Sequence, residues 1–191
     1  MHLPDRQNQP GTTLLHLARG SIEYGLIHNA PLPVDCNELP AELTNPAATF
    51  TSLHVEGQLR GCCGTLEALR PLAADVAHSA FQAAFRDWRF APLDQGELAG
   101  VSLEVSVLSP MEPMRFADET DLAAQLTPGA DGLVIIEGWR RATFLPKVWD
   151  TLPEPEQFLA QLKLKCGLPS TYWSEHLEFL RYHTTTYAEA A

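Results

Sequence analysis

The stretch Gln58-Leu59-Arg60-Gly61-Cys62-Cys63-Gly64-Thr65 holds the chain's densest set of side chains able to do chemistry. A guanidinium beside a thiol favours the thiolate, the nucleophilic and metal-binding form of cysteine. Two glycines interrupt strand-forming sequence, which happens where a ladder bulges or where another backbone approaches closely. The combination offers a thiol nucleophile or relay, with Arg60 as the group that orients an anion. The N–H groups of Gly61 and Gly64 would then lie close to a substrate. The same residues read without chemistry are two inert thiols packed beneath a helix, because free cysteine is among the most buried side chains.

Glu104 joins this set. It lies in a stretch where Val101, Leu103, Val105 and Val107 alternate with Ser102, Glu104 and Ser106. A carboxylate buried there without a partner is costly or has its pKa driven up. Arg60 is the expected partner, either as a structural ion pair or as part of an acid–base site. Cys36, Cys62, Cys63 and Cys166 show no CxxC spacing, and His16, His28, His78, His176 and His183 show no ligand spacing. No metal and no cofactor are expected.

The elements that must position these groups follow from periodicity. Leu14, Leu17, Ala18, Ile22 and Leu26 recur at helical spacing from Thr12 onward, after a loose stretch over residues 1–11. Four prolines across residues 30–46 predict an extended connector. Residues 47–56 alternate as a strand, and Gly57-Gln58 is the expected two-residue turn returning it through residues 59–65. That register puts Leu53 opposite Cys62 and brings Cys63 diagonal to His54, a thiol and a base.

Pro71 opens a helix whose apolar stripe runs from Ala73 through Phe81 and Phe85 to Trp88. A strand over residues 101–108 follows. Asp118 caps a short helix, residues 132–137 and 140–144 form a second hairpin, and a helix over residues 155–166 is stopped by Gly167. Residues 177–187 read as strand. Trp139, Trp149 and Trp173 are expected in the core or between lobes. Strands arranged in hairpins imply an α+β fold, an antiparallel-rich sheet flanked by helices with a smaller lobe, in one domain over residues 12–187.

Composition narrows the partners. Twenty-four acidic against 13 basic residues leave a net charge of −11 in 191 residues, a field that repels phosphate backbones and anionic membranes. Neither nucleic acid nor membrane is an expected partner. The first ten residues are polar, without the basic-then-apolar order of a secretory signal, and the thiols suit a reducing cytoplasm.

The segment Leu-Arg-Gly-Cys-Cys-Gly-Thr resembles the Leu-Arg-Gly-Cys-Ile-Gly-Thr signature of the AMMECR-type domain, also called AmmeMemoRadiSam system protein A. The likeness continues through Arg70-Pro71-Leu72, Ala83-Ala84-Phe85-Arg86-Asp87, Leu103-Glu104-Val105-Ser106-Val107-Leu108-Ser109-Pro110, Phe144-Leu145-Pro146-Lys147-Val148-Trp149 and Lys165-Cys166-Gly167-Leu168-Pro169. Cys63 stands where the family has isoleucine, and Trp88 where it has proline. The resemblance implies a main lobe of antiparallel strands flanked by helices, with a smaller lobe beside it. It also implies a Memo-like protein and a radical SAM enzyme as partners, and a site at Arg60, Gly61, Cys62, Gly64 and Thr65. It implies no particular reaction. Two functions remain open: a modification or small-molecule enzyme component centred on Cys62, and a non-catalytic binding or adaptor module that uses the strand over residues 60–65.

Overall fold

The computed structural model describes residues 10–189. Among these residues five α-helices flank two four-stranded antiparallel sheets, and the chain forms two compact units. The first unit takes the described residues up to Leu108 together with the stretch from Thr185; the second is Ser109–Thr184. The loose N-terminal stretch expected from sequence lies mostly outside the described residues.

In the first unit, helix α1 (Pro10–His28) and helix α3 (Leu72–Phe85) pack on strands β1 (Thr49–Val55), β2 (Gln58–Gly64) and β3 (Val101–Leu108). The short helix α2 (Ala41–Thr44) and a 3-10 turn break the proline-rich connector. The sheet order is β2-β1-β3-β8, where β8 is Thr184–Ala188. The periodicity that predicted the helices is the one that buries them. Leu14, Ala18 and Ile22 of α1 and Ala73, Val76, Ala80 and Phe81 of α3 meet Leu53, Leu103 and Val105 in one core.

Trp88 does not extend that stripe. The helix ends at Phe85, and Trp88 lies three residues beyond it with 91% of its surface exposed. The hairpin also differs from its expected register. Glu56 and Gly57 both have positive φ (51° and 76°), so they are the central turn residues and Val55 pairs with Gln58. Positive φ at both central positions is the type I′ geometry whose twist matches the flanking strands. The pairing then slips between His54–Leu59 and Leu53–Gly61, leaving Arg60 as the bulged residue.

Gly61 is fixed by close packing. A Cβ there would collide with the carbonyl oxygen of Ala83, so the end of α3 lies directly on the β2 backbone. A buried polar network ties the other end of α3 to β1. Asp75 Oδ2 accepts from the Thr49 backbone N–H at 3.1 Å and from Thr49 Oγ1 at 2.7 Å, and the Ser79 and Thr51 hydroxyls meet at 2.7 Å.

The second unit has the sheet order β4-β7-β5-β6, formed by β4 (Glu112–Pro113), β5 (Gly132–Glu137), β6 (Arg140–Phe144) and β7 (Glu178–Tyr182). Helices α4 (Glu119–Gln125) and α5 (Pro155–Lys165) cover it, and Asp118 caps α4 by accepting from the Asp121 N–H. Trp149 stacks on Phe158 at 3.8 Å between ring centroids, whereas Trp139 sits at the β5–β6 turn, exposed rather than in the core. The single strand expected over residues 177–187 is broken at His183, and its halves join different sheets.

Because only backbone of α3 faces Gly61, Gly61→Ala is expected to cost about 1–3 kcal/mol through overpacking. The measurement is urea denaturation of the two proteins, where the midpoint falls with an unchanged m-value.

Candidate functional site

The register of the first sheet sorts the motif onto two faces. Thr51 pairs with Cys63 and Leu53 with Gly61, while Ser52 pairs with both Cys62 and Glu104. Alternation then puts Gly61 and Cys63 on the face covered by α1 and α3. Cys62, Ser52 and Glu104 form one row on the opposite face, crossing β2, β1 and β3. His54 belongs to that opposite face as well, so it does not meet Cys63. The Cys63–His54 approach that a Gly57-Gln58 turn would allow gives way to Cys63 against Thr51, because the bulge at Arg60 and the turn at Glu56-Gly57 together change the register. For the same reason Cys62 lies across from Ser52 rather than Leu53.

Cys62 is positioned through its backbone. Strand β2 is an edge strand, so every other N–H on its outer side lacks a ladder partner. The Cys62 N–H donates to Asp87 Oδ2 at 2.9 Å. Asp87 is in turn gripped by Arg89, whose Nε and Nη2 donate to Oδ1 at 2.9 Å and Oδ2 at 2.6 Å. The Asp87 side chain is only 4% exposed. Hydrogen bonding from Arg89 lowers its pKa from the ordinary 3.8 to about 2, outweighing desolvation, and the Cys62 N–H adds to the effect.

Arg60 pairs with Glu97, where Glu104 was the expected partner. Its Nε and Nη2 donate to Glu97 Oε1 at 2.7 Å and Oε2 at 2.8 Å, a bidentate fork. The guanidinium also lies over the Phe90 ring, 5.9 Å from its centroid. Glu97 is held below the usual carboxylate range chiefly by that hydrogen bond. The bulge explains the change of partner: an extra residue in β2 turns Arg60 out of strict alternation and toward residues 90–97. Glu97 stands outside every motif singled out above. Its signal is the Asp94-Gln95-Gly96-Glu97 turn, in which Asp94 Oδ1 accepts from the Gly96 and Glu97 N–H groups and locks the carboxylate in place.

The motif's last residues border a separate feature. Cys63, Gly64 and Thr65 line one wall of a cleft of about 210 Å³, and Arg70, Asp75 and His78 line the other. Burial pushes the Cys63 thiol up, so it is a poor thiolate. Gly64 has a packing reason of its own, since the Phe50 ring and the Thr49 carbonyl occupy the space a side chain would need. Cys166, at the end of α5, is buried. Among the described residues no helix is long and apolar enough to cross a membrane.

The AMMECR1 family model matches residues 15–187. A protein of Methanothermobacter thermautotrophicus is 37% identical over 166 residues, covering 83% of each chain. One from Thermotoga maritima is 36% identical over 152 residues, covering 78% of this chain and 82% of its own. The crystal structure of the uncharacterized protein PH0010 from Pyrococcus horikoshii superposes with a TM-score of 0.87 at 28% identity, covering 94% of this chain and 91% of that one.

A carboxylate held below its ordinary pKa stabilises the fold above that ordinary value and loses the contribution as pH falls toward the folded one. Asp87 therefore stabilises fully above about pH 4 and progressively less toward pH 2. Asp87→Asn is expected to cost about 1–3 kcal/mol at neutral pH and to flatten the stability profile across that acid window. Thermal melts of the two proteins between pH 7 and pH 2 check both.

Proposed function

Since the chain belongs to the AMMECR1 family, we propose that it is a modification or small-molecule enzyme component that works at the sheet row of Cys62, Ser52 and Glu104. One observation carries this reading: the strand register places a thiol, a hydroxyl and a carboxylate side by side on the face turned away from α1 and α3. Strands about 4.8 Å apart put Cys62 and Glu104 roughly 10 Å from one another at the backbone, with Ser52 between them. Cys62 is the nucleophile or relay, and Glu104 is the acid–base group.

Arg60 enters this reading as a positioning residue, because Glu97 already takes both arms of its fork. Gly61 likewise serves by letting α3 hold β2. The family resemblance supports a Memo-like protein and a radical SAM protein as partners, in the cytoplasm, where a thiol stays reduced. A net charge of −11 speaks against nucleic acid and anionic membrane in their place.

The edge position of β2 favours a second reading, a non-catalytic adaptor that pairs a partner's strand with residues 60–65. Asp87 weighs against it, since its carboxylate already occupies the Cys62 N–H that such a strand would use.

Iodoacetamide mapping on the folded chain separates the readings. Cys62 is expected to label well ahead of Cys166. Labelling of every cysteine except Cys62 removes the thiol from the chemistry. Cys62→Ser and Glu104→Gln, each co-expressed with the two partner proteins, are expected to abolish whatever product the wild-type system accumulates. Product formed at the wild-type level by Cys62→Ser leaves the adaptor reading standing.

A further inference from the structure

The cleft beside α3 lies on the helix side of the sheet, and nothing in the Cys62 reading uses it. Its chemistry is unusual for a gap at a helix–sheet junction. Asp75 is 1% exposed, and its Oδ2 is saturated by the Thr49 N–H and hydroxyl. Its Oδ1 receives Arg70 Nη1 at 3.2 Å, the one hydrogen bond that guanidinium makes among the described residues. An arginine carries five N–H donors in a rigid fork, so most of the fork remains for another acceptor. The Arg70 side chain is 40% exposed, held at the cleft by a carboxylate that is itself anchored in the core.

The other polar groups of the cleft are also donors. The Thr65 hydroxyl oxygen accepts from the Glu67 N–H at 3.1 Å, which leaves its own proton to give. Desolvation and the neighbouring Arg70 charge keep the His78 imidazole below its usual pKa. His78 is therefore neutral near pH 7 and offers one ring N–H. Three donor groups, one of them cationic, face a space whose only acid already has its oxygens in use.

We infer that this cleft binds a small molecule through a carboxylate, with Arg70 as the fork that receives it and Thr65 and His78 as supporting donors. Asp75, close behind Arg70, favours a single negative charge over the double charge of phosphate. At about 210 Å³ the cleft is smaller than the roughly 300–1,000 Å³ of sites for drug-sized ligands, so the occupant is a small acid. Cys63 forms part of the wall, where the family signature has isoleucine, and so serves as a built-in reporter. The inference does not depend on Cys62 or Glu104, and its test reads a different thiol.

The test is alkylation of the full chain by N-ethylmaleimide, with tandem mass spectrometry to distinguish Cys63 from Cys62. Acetate, pyruvate, succinate and benzoate are added separately, and inorganic phosphate serves as the competing anion. At least one carboxylate is expected to slow alkylation of Cys63 about tenfold when present at ten times its Kd, with Cys62 unaffected, and to raise the Tm. Arg70→Gln should lose both effects, and Arg70→Lys, which keeps the charge but not the fork, should lose most of them. His78→Ala should weaken protection while leaving Arg70 on Asp75. Protection by phosphate alone, protection that survives in Arg70→Gln, or no protection by any of the four carboxylates overturns the inference. Should Arg70→Gln fail to fold, Arg70→Lys and His78→Ala decide, and undiminished protection in both overturns it.

Discussion

Helix α3 rests on β2 with no side chain between them at one point, and the first unit is built around that contact. The Ala83 carbonyl sits where a Cβ of residue 61 would have to go, so only glycine lets the last turn of the helix reach the strand. From that point the helix runs back across β1 to Asp75, whose carboxylate binds the Thr49 backbone and hydroxyl. The helix is thus pinned to two strands at its two ends. The bulge at Arg60, next to Gly61, then turns the guanidinium toward Glu97. The chain just past the helix is drawn in as well, and Asp87 there takes the Cys62 N–H. Packing at one glycine and pairing at three carboxylates belong to one arrangement.

Sequence periodicity revealed the elements well and their neighbours poorly, for physical reasons. Leu14, Ala18 and Ile22, and Val76, Ala80 and Phe81, are buried because a period near 3.6 residues leaves a helix one face to hide. Strand β3 follows its alternation until Ser106, which is buried with its hydroxyl 2.9 Å from that of Thr186. Trp88 is exposed because an apolar residue beyond a helix terminus no longer has a face to share. The hairpin turn was misplaced by one residue, since Glu56-Gly57 and Gly57-Gln58 both offer glycine to a two-residue loop. Only the left-handed backbone at Glu56 chooses between them. One residue of register decides which cysteine faces the core. Glu97 could not be matched to Arg60 because the pair depends on a bulge, and a bulge has no period to read.

The ion pairs of the first unit restrict the chemistry available to it. Arg60 and Arg89 each give two donors to one carboxylate, and both guanidiniums lie over Phe90, at 5.9 and 5.4 Å from its centroid. A substrate anion seeking the Nε–Nη2 edge of either would have to displace Glu97 or Asp87, leaving a displaced carboxylate to be solvated anew. Arg70 differs from both because Asp75 meets it with a single oxygen. Three arginines near the motif are alike in sequence, and the number of carboxylate oxygens each has met separates them into two structural clamps and one open fork.

The adjacent cysteines illustrate how a strand divides labour that the sequence writes side by side. Cys62 and Cys63 are one peptide bond apart, yet the pleat sends them to opposite faces. Their environments differ accordingly: Cys62 shares its row with Ser52 and Glu104, and burial against α3 suppresses the Cys63 thiolate. An extended strand also keeps the two sulfurs apart, so they do not act as a vicinal pair. A reagent that modifies both therefore reports on two surfaces rather than one site. Replacing Cys63 with the isoleucine of the family signature would change the wall of the cleft while leaving the Cys62 row as it is. The two faces of β2 thus present different chemistry.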